Sequence, residues 1–269
     1  MTNLFDLSGE VAVVIGATGV LGGSLAEGLA AAGATVAILG RNPVRGEERA
    51  RKIEALGGKA RFFPVDATDL ESLKGAHRSV AEDLGAPTVL VNAAGGNNAN
   101  ATVTDERAFE RIDVEDWRAN FELNLVGGVL QPCQVFGPAM AERQKGSIIN
   151  IASVSAHLPL SRVVAYSASK AGVLSLTQFP AREWATRGVR VNSITPGFFP
   201  GEQNRKLLFQ DDGQPTARLR AICGHTPMAR IGEPHELIGA CVFLASDRAS
   251  GFVTGTDIRV DGGFLSQTI

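Results

Sequence analysis

Tyr166 and Lys170 lie four residues apart in the run Tyr166-Ser167-Ala168-Ser169-Lys170, and Ser153 precedes the tyrosine by thirteen residues. Residues at that spacing share one face of a helix, so the phenol and the ammonium would stand side by side. An ammonium beside a phenol favours the phenolate and lowers a pKa that starts near ~10. A tyrosine tuned in this way passes a proton to or from a substrate oxygen near neutral pH. The chemistry suggested is interconversion of a carbonyl and an alcohol. The same spacing also describes an ordinary exposed helix pair, so the rest of the chain must decide.

The elements that would hold these groups alternate regularly. Val11-Ala12-Val13-Val14-Ile15 is a continuous apolar run that ends in glycines, as a buried parallel strand does. A helix is expected from about Leu21 to Ala32, with Gly33 placed to end it. Further strands are expected at Thr35–Leu39, Ala60–Val65, Thr88–Val91, Ser147–Ile151, Val189–Ile194 and Asp257–Val260. Helices are expected over 45–56, about 69–84, 116–140 as one long rod, and 161–187. This order predicts an α/β fold, a doubly wound parallel sheet with helices on both faces. It fits one Rossmann-type domain over residues 1–269. The stretch 197–226 lacks clear periodicity and carries Pro196, Gly197, Pro200, Gly201, Gly213 and Pro215 at or near its start and within it. A segment of that length in a compact fold reads as a substrate lid.

Composition narrows the class. The chain is 44% hydrophobic and 20% charged with a net charge of -2. That balance suits a globular protein and gives no nucleic-acid footprint and no polybasic membrane patch. Cys133, Cys223 and Cys241 form no CxxC pair and no metal-ligand run, so each reads as a small buried apolar residue in a reducing cytoplasm. The N-terminal stretch lacks the charged and apolar regions of a signal peptide.

Gly16-Ala17-Thr18-Gly19-Val20-Leu21-Gly22 joins the first strand to the first helix. Glycines there let the backbone turn and approach a pyrophosphate at a helix N-terminus. Without a ligand the same run is only a tight turn. Arg41 and Asn42 follow the second strand, where many dinucleotide folds place an acid. Arg41 either pairs with a 2′-phosphate, favouring NADP(H) over NAD(H), or is a solvated loop residue. Asp66, followed by Ala67, either accepts from an adenine amino group or caps the helix near Asp69. Asn92-Ala93-Ala94-Gly95 ends the fourth strand in small residues that leave room for a flat ligand.

Together these pieces resemble the short-chain dehydrogenase/reductase family over essentially the whole chain. The matching parts are Gly16-x-x-Gly19-x-x-Gly22, Asn92-Ala93-Ala94-Gly95, Asn124, Ser153, Tyr166-x-x-x-Lys170, Pro196-Gly197 and Val260-Asp261-Gly262-Gly263. The resemblance implies that Tyr166 is the general acid/base and that Ser153 hydrogen-bonds the substrate carbonyl. Lys170 would lower the tyrosine pKa and bind the nicotinamide ribose, and Asn124 would support a proton-relay water. It also implies a nicotinamide dinucleotide held by Gly16, Thr18, Gly19, Val20, Leu21, Gly22, Pro196, Gly197 and Phe199 among others, no metal, and a homotetramer. Two departures stand out. Ile15 replaces the family's leading threonine, with the middle glycine one place early at Gly19. The run Phe198-Phe199-Pro200-Gly201-Glu202-Gln203-Asn204 lacks the usual threonine.

Several segments are similar to a sugar-acid subgroup, the D-mannonate oxidoreductases and gluconate 5-dehydrogenases. They are Ala37–Asn42, Asn92–Asn97, Ser155–Arg162 and Phe198–Asn204. Gly96, Asn97, Asn98 and Asn100 would overhang the site and suit a polyol, or else serve as turn residues. His157 is expected as a wall residue. Gln203, Asn204 and Arg205 add polar groups, and Arg162 or Arg205 either clamps a carboxylate or is a plain surface arginine. The leading expectation is D-fructuronate and D-mannonate interconversion. Reduction of 5-keto-gluconate or another keto sugar, a 3-oxoacyl thioester reductase, and a dinucleotide-binding regulator without turnover are the alternatives.

Overall fold

The computed structural model describes residues 3–160, 162–201 and 204–267. The largely apolar runs become the inner strands because a sheet covered on both faces admits no polar alternation, while the outer strands carry charged residues as well. The strands are β1 (Val11–Ile15), β2 (Thr35–Gly40), β3 (Lys59–Pro64), β4 (Val89–Asn92), β5 (Gly146–Ile151), β6 (Val189–Pro196) and β7 (Asp257–Val260). Their spatial order is β3-β2-β1-β4-β5-β6-β7, with every neighbouring pair parallel. The chain therefore winds outward in both directions from β1 and β4, and a crevice opens at their carboxyl ends.

Helices cover both faces. Val14, Ile38, Val91 and Ile149 pack on one side with Leu25 and Leu29 of α1 (Val20–Ala31) and with Cys241 and Leu244 of a late helix, Ile238–Ala245. Val13, Ile15, Leu39, Leu90 and Ile148 point to the other side. There they meet Leu73 and Val80 of α3 (Leu70–Asp83), Phe136 and Met140, and Val173 and Ala181. The helix between these two, α2 (Pro43–Ala55), is capped by Asn42, whose Oδ1 accepts from the Arg45 amide at 3.1 Å. Asp69 caps α3. The capping role considered for Asp66 thus belongs to its neighbour.

Two expectations need correction. The rod over 116–140 runs from Val114 to Glu142, but it is not a single α-helix. A π-helical segment, Glu122–Leu130, separates α4 (Val114–Phe121) from α5 (Gln131–Glu142). Such a bulge widens the helix by one residue and recurs at functional sites. Here it contains Asn124, whose Nδ2 donates to the Asn120 carbonyl at 2.9 Å. Gly127 and Gly128 let neighbouring loops close in. A Cβ on Gly127 would lie 2.7 Å from the Ala67 carbonyl, and one on Gly128 would lie 3.2 Å from the Ala94 carbonyl.

The second correction concerns 197–226, which is not structureless. It contains α7 (Arg205–Leu208) and α8 (Ala217–His225), the latter capped by Thr216. A helix of one turn and another of nine residues leave too little periodic signal to detect. Leu208, Leu219 and Ile222 form a small core of their own beneath the segment. Its start abuts the end of β7, since a Cβ on Gly197 would lie 2.7 Å from the Asp261 Cα. That contact explains why the Pro196-Gly197 and Asp261-Gly262 runs occur together. Among the described residues no helix is long and apolar enough to cross a membrane, and no group of three His, Cys, Asp or Glu side chains could hold a metal ion.

Candidate active site

Ser153 leaves β5 at its carboxyl end, and Tyr166 lies in the first turn of α6 (Val164–Trp184). The fold thus brings the serine hydroxyl close enough to the phenol to lower its pKa against the effect of burial. The Ser153 Oγ also accepts from the Ser155 amide at 3.2 Å and from the Ser155 Oγ at 3.0 Å. One turn along α6, the Lys170 Nζ donates to the Ile151 carbonyl at 2.7 Å and stands 5.8 Å from the Tyr166 ring centre. Asn124 reaches the same place from the π-helical segment. Its Oδ1 accepts from the Gly96 amide at 3.0 Å and its Nδ2 donates to the Gly96 carbonyl at 2.8 Å. These four side chains come from β5, α6 and the π-helical segment, and all gather at the carboxyl edge of the sheet.

The electrostatics differ from the simple expectation. Burial pushes the Tyr166 phenol above its ordinary value, and the Ser153 bond offsets only part of that. Burial also brings Lys170 down to about 8. Sequence spacing places the ammonium beside the phenol but cannot report desolvation, which penalises both charged forms. Tyr166 is the one tyrosine of the chain. Ultraviolet titration of the ligand-free protein should therefore follow this group alone, with an ionisation above the ordinary 10. A midpoint below 10 would contradict the burial argument. At neutral pH the phenol is then protonated, ready to give a proton to a carbonyl oxygen. The reverse direction needs the phenolate and should gain rate as pH rises.

Several of the expected dinucleotide residues lie close together at the carboxyl ends of β1 and β4. Gly16 has φ +87°, and a Cβ there would lie 2.6 Å from the Ala94 amide and 2.7 Å from the Ala93 carbonyl. The N-terminus of α1, which follows the glycine loop directly, has no side-chain cap. A Cβ on Gly40 would lie 2.7 Å from the Thr18 Oγ1, leaving no room for an acid at that position. Arg41 is close enough to Asp66 to help lower its pKa, after the hydrogen bond from the Thr68 amide. At the other end, a Cβ on Gly95 would lie 2.7 Å from the Asn124 Oδ1 and 3.4 Å from the Lys170 Nζ. The bare Gly95 backbone thus lies close against two of the candidate catalytic side chains, where a larger residue would collide with them. Two side chains face elsewhere. The Asn92 amide donates to the Asn150 Oδ1 at 2.9 Å inside the sheet. Phe199 is buried in the core against Gly232.

A cavity of about 280 Å³ adjoins the glycine loop, lined by Thr18, Gly19, Val20, Arg45, Arg49 and Lys52 among others. Sequence reading missed these three cations. Their positions at i, i+4 and i+7 of α2 were the available signal. It also missed Asn120, four residues before Asn124, and Ser155, two after Ser153.

The substrate-side residues are more dispersed. The Asn97 Nδ2 donates to the Thr102 Oγ1 at 2.9 Å, and the Asn98 Oδ1 accepts from the Asn100 amide at 2.9 Å. Both shape the loop after β4. Asn204 shapes the next loop, accepting from the Gly201 amide at 2.7 Å and donating to the Phe199 carbonyl at 2.8 Å. Arg162 pairs with Asp105 at 2.7 Å. Both partners are at least half exposed, so the pair contributes only about 0–1 kcal/mol and gives way easily. Arg205 is exposed and lies over the Phe209 ring. The His157 ring faces Thr195 and Asp257. Glu202 and Gln203 lie outside the described residues.

Comparison with known proteins follows this geometry closely. The family model for enoyl-(acyl carrier protein) reductase matches residues 16–265. The uncharacterized oxidoreductase UxuB of Bacillus subtilis is 39% identical over 98% of this chain and 97% of its own length. Among solved structures, a protein from Haemophilus influenza, provisionally assigned as a D-mannonate oxidoreductase and bound to NAD, is 37% identical. Its TM-score is 0.92, covering 99% of both chains. A gluconate 5-dehydrogenase from Burkholderia cenocepacia, bound to NADP and tartrate, is 33% identical. Its TM-score is 0.88, covering 98% of both chains.

Proposed function

We propose that this chain, which belongs to the short-chain dehydrogenase/reductase family, interconverts a keto sugar acid and its hydroxy acid, with D-fructuronate and D-mannonate as the leading pair. The observation that carries the reading is the gathering of Ser153, the buried Tyr166 phenol, Lys170 and Asn124 at the carboxyl edge of the sheet, with Gly95 packed against Asn124 and Lys170. The substrate class draws support from the two solved relatives, one assigned to D-mannonate and one a gluconate dehydrogenase. The second of these keeps 5-keto-D-gluconate as the alternative substrate.

The bound nicotinamide would supply hydride to the carbonyl carbon. Tyr166 gives its proton to the carbonyl oxygen, and the Ser153 hydroxyl donates to the same oxygen as charge develops there. Lys170, largely protonated at neutral pH, steadies the phenolate that remains. Asn124 ties Gly96 to the bulged helix and so fixes the loop beside the reacting groups. The direct test is a panel of keto sugar acids with NADH and NADPH, followed at the reduced-nicotinamide absorbance. Oxidation of either cofactor by D-fructuronate or 5-keto-D-gluconate is expected, and silence across the panel would overturn the substrate reading.

Arg41, which can pair with a 2′-phosphate, favours NADP(H), with NAD(H) as the alternative. Arg41→Ala should weaken NADPH by roughly 10- to 100-fold, as loss of a charged hydrogen bond does, with little change for NADH. Equal losses in titrations with the two cofactors would withdraw that preference. The segment 197–226 acts as a lid, its own small core allowing it to move as a unit. Amide exchange across it should slow when cofactor and sugar acid are both bound, and unchanged exchange would count against closure. The protein is proposed to work in the cytoplasm as a homotetramer.

A further inference from the structure

We infer that His157 and Asp257 form a positioning pair that holds the turn carrying Ser153 against the far edge of the sheet. Ser153 begins a short 3-10 turn, Val154–Ala156, closed by the His157 amide donating to the Val154 carbonyl at 3.1 Å. Within it Ser155 gives Ser153 two hydrogen bonds. Those bonds fill the acceptor side of the Ser153 oxygen, leaving its own hydrogen for the phenol or a substrate oxygen. The direction of that hydrogen therefore depends on where the turn sits.

Beyond the turn, the His157 Nε2 lies 3.2 Å from the Asp257 Oδ2 and 3.3 Å from the Thr195 Oγ1. Asp257 opens β7, where it pairs in register with Ser193. Its Oδ1 accepts from the Ser193 Oγ at 2.6 Å and from the Thr195 Oγ1 at 2.9 Å. The Thr195 hydrogen is thus committed to the carboxylate. Both neighbours of Nε2 are then acceptors, so Nε2 carries a proton and donates. The ring spans from the catalytic turn to two strands, and its donor nitrogen is spent on the sheet edge rather than on the cleft. This makes His157 a residue that acts through Ser153 instead of a substrate wall. The inference rests on the role given to Ser153.

The test compares wild type with His157→Ala, His157→Gln, Asp257→Asn, the His157→Ala/Asp257→Asn double variant and Ser153→Ala. The substrate is D-fructuronate or 5-keto-D-gluconate, whichever the wild type reduces. Displacing a group by about 1 Å from a distance costs up to ~100-fold in rate, so His157→Ala should lower kcat by about 10- to 100-fold. Its KM and dinucleotide Kd should stay within about twofold of wild type, and the isotope effect from deuterated cofactor should rise. His157→Gln, whose amide can still donate to Asp257, should recover most of the loss, and the double variant should be no worse than the worse single one. Without any substrate, amide exchange in 153–157 should accelerate in His157→Ala while that of α6 holds. Wild-type kcat and unchanged exchange in His157→Ala, with Ser153→Ala inactive, would overturn the positioning pair and spare the serine. Full activity in Ser153→Ala would instead remove the serine role on which the pair depends.

Discussion

Tyr166→Phe is expected to lower turnover by about 10²- to 10⁴-fold while dinucleotide binding survives. The substitution keeps the ring, its burial and the Lys170 cation 5.8 Å from the ring centre. It removes only the hydroxyl, and with it the transferable proton and the interaction with Ser153. Among the described residues, the two other candidate proton donors nearby are engaged elsewhere. The Lys170 Nζ is engaged with the Ile151 carbonyl, and the His157 ring faces Asp257. Single-turnover measurement of cofactor oxidation reads the loss, and fluorescence titration with dinucleotide reads the binding. Turnover near wild type in the variant would remove Tyr166 from the mechanism.

Gly16→Ala is expected to cost both stability and cofactor affinity. At φ +87° an alanine is strained by about 1–3 kcal/mol before any contact is considered. Its Cβ would also fall 2.6–2.7 Å from three backbone atoms of Ala93 and Ala94, none of which can rotate away. The loop after β4 must therefore shift, and with it the Gly95 backbone beside Asn124 and Lys170. The displaced loop belongs to the expected cofactor site, so affinity is expected to fall with stability. Denaturant midpoints and dinucleotide titrations together check this. A variant of wild-type stability would show that β1 and β4 do not approach as closely as described.

The inner sheet was legible because β1, β2 and β4 are largely apolar runs, and β7, although it reads Asp-Ile-Arg-Val, falls at Asp257–Val260, where the sequence pattern placed it. β6 runs two residues past the expected Ile194, since Thr195 and Pro196 pair with Arg259 and Val260. Only the partner strand could reveal that. The π-helical bulge was invisible because one inserted residue hardly disturbs a helical pattern. Tyr166 and Lys170 were legible as helix neighbours, and Ser153 as the residue leaving β5. Asp257 was not, because it meets His157 across a separation of 100 residues. The raised pKa of Tyr166 was hidden as well. It reflects everything packed around the phenol, which sequence spacing does not contain.

The central claim is that Tyr166 and Ser153 deliver a proton to the carbonyl of a keto sugar acid while hydride arrives at its carbon. The most direct measurement supplies cofactor deuterated at the transferring position together with D-fructuronate or 5-keto-D-gluconate. Mass spectrometry and NMR of the product then locate the label. The account predicts one deuterium on the former carbonyl carbon of the hydroxy acid, formed by wild type and nearly absent with Tyr166→Phe. A product without that deuterium, or equal labelling by the variant, would contradict it.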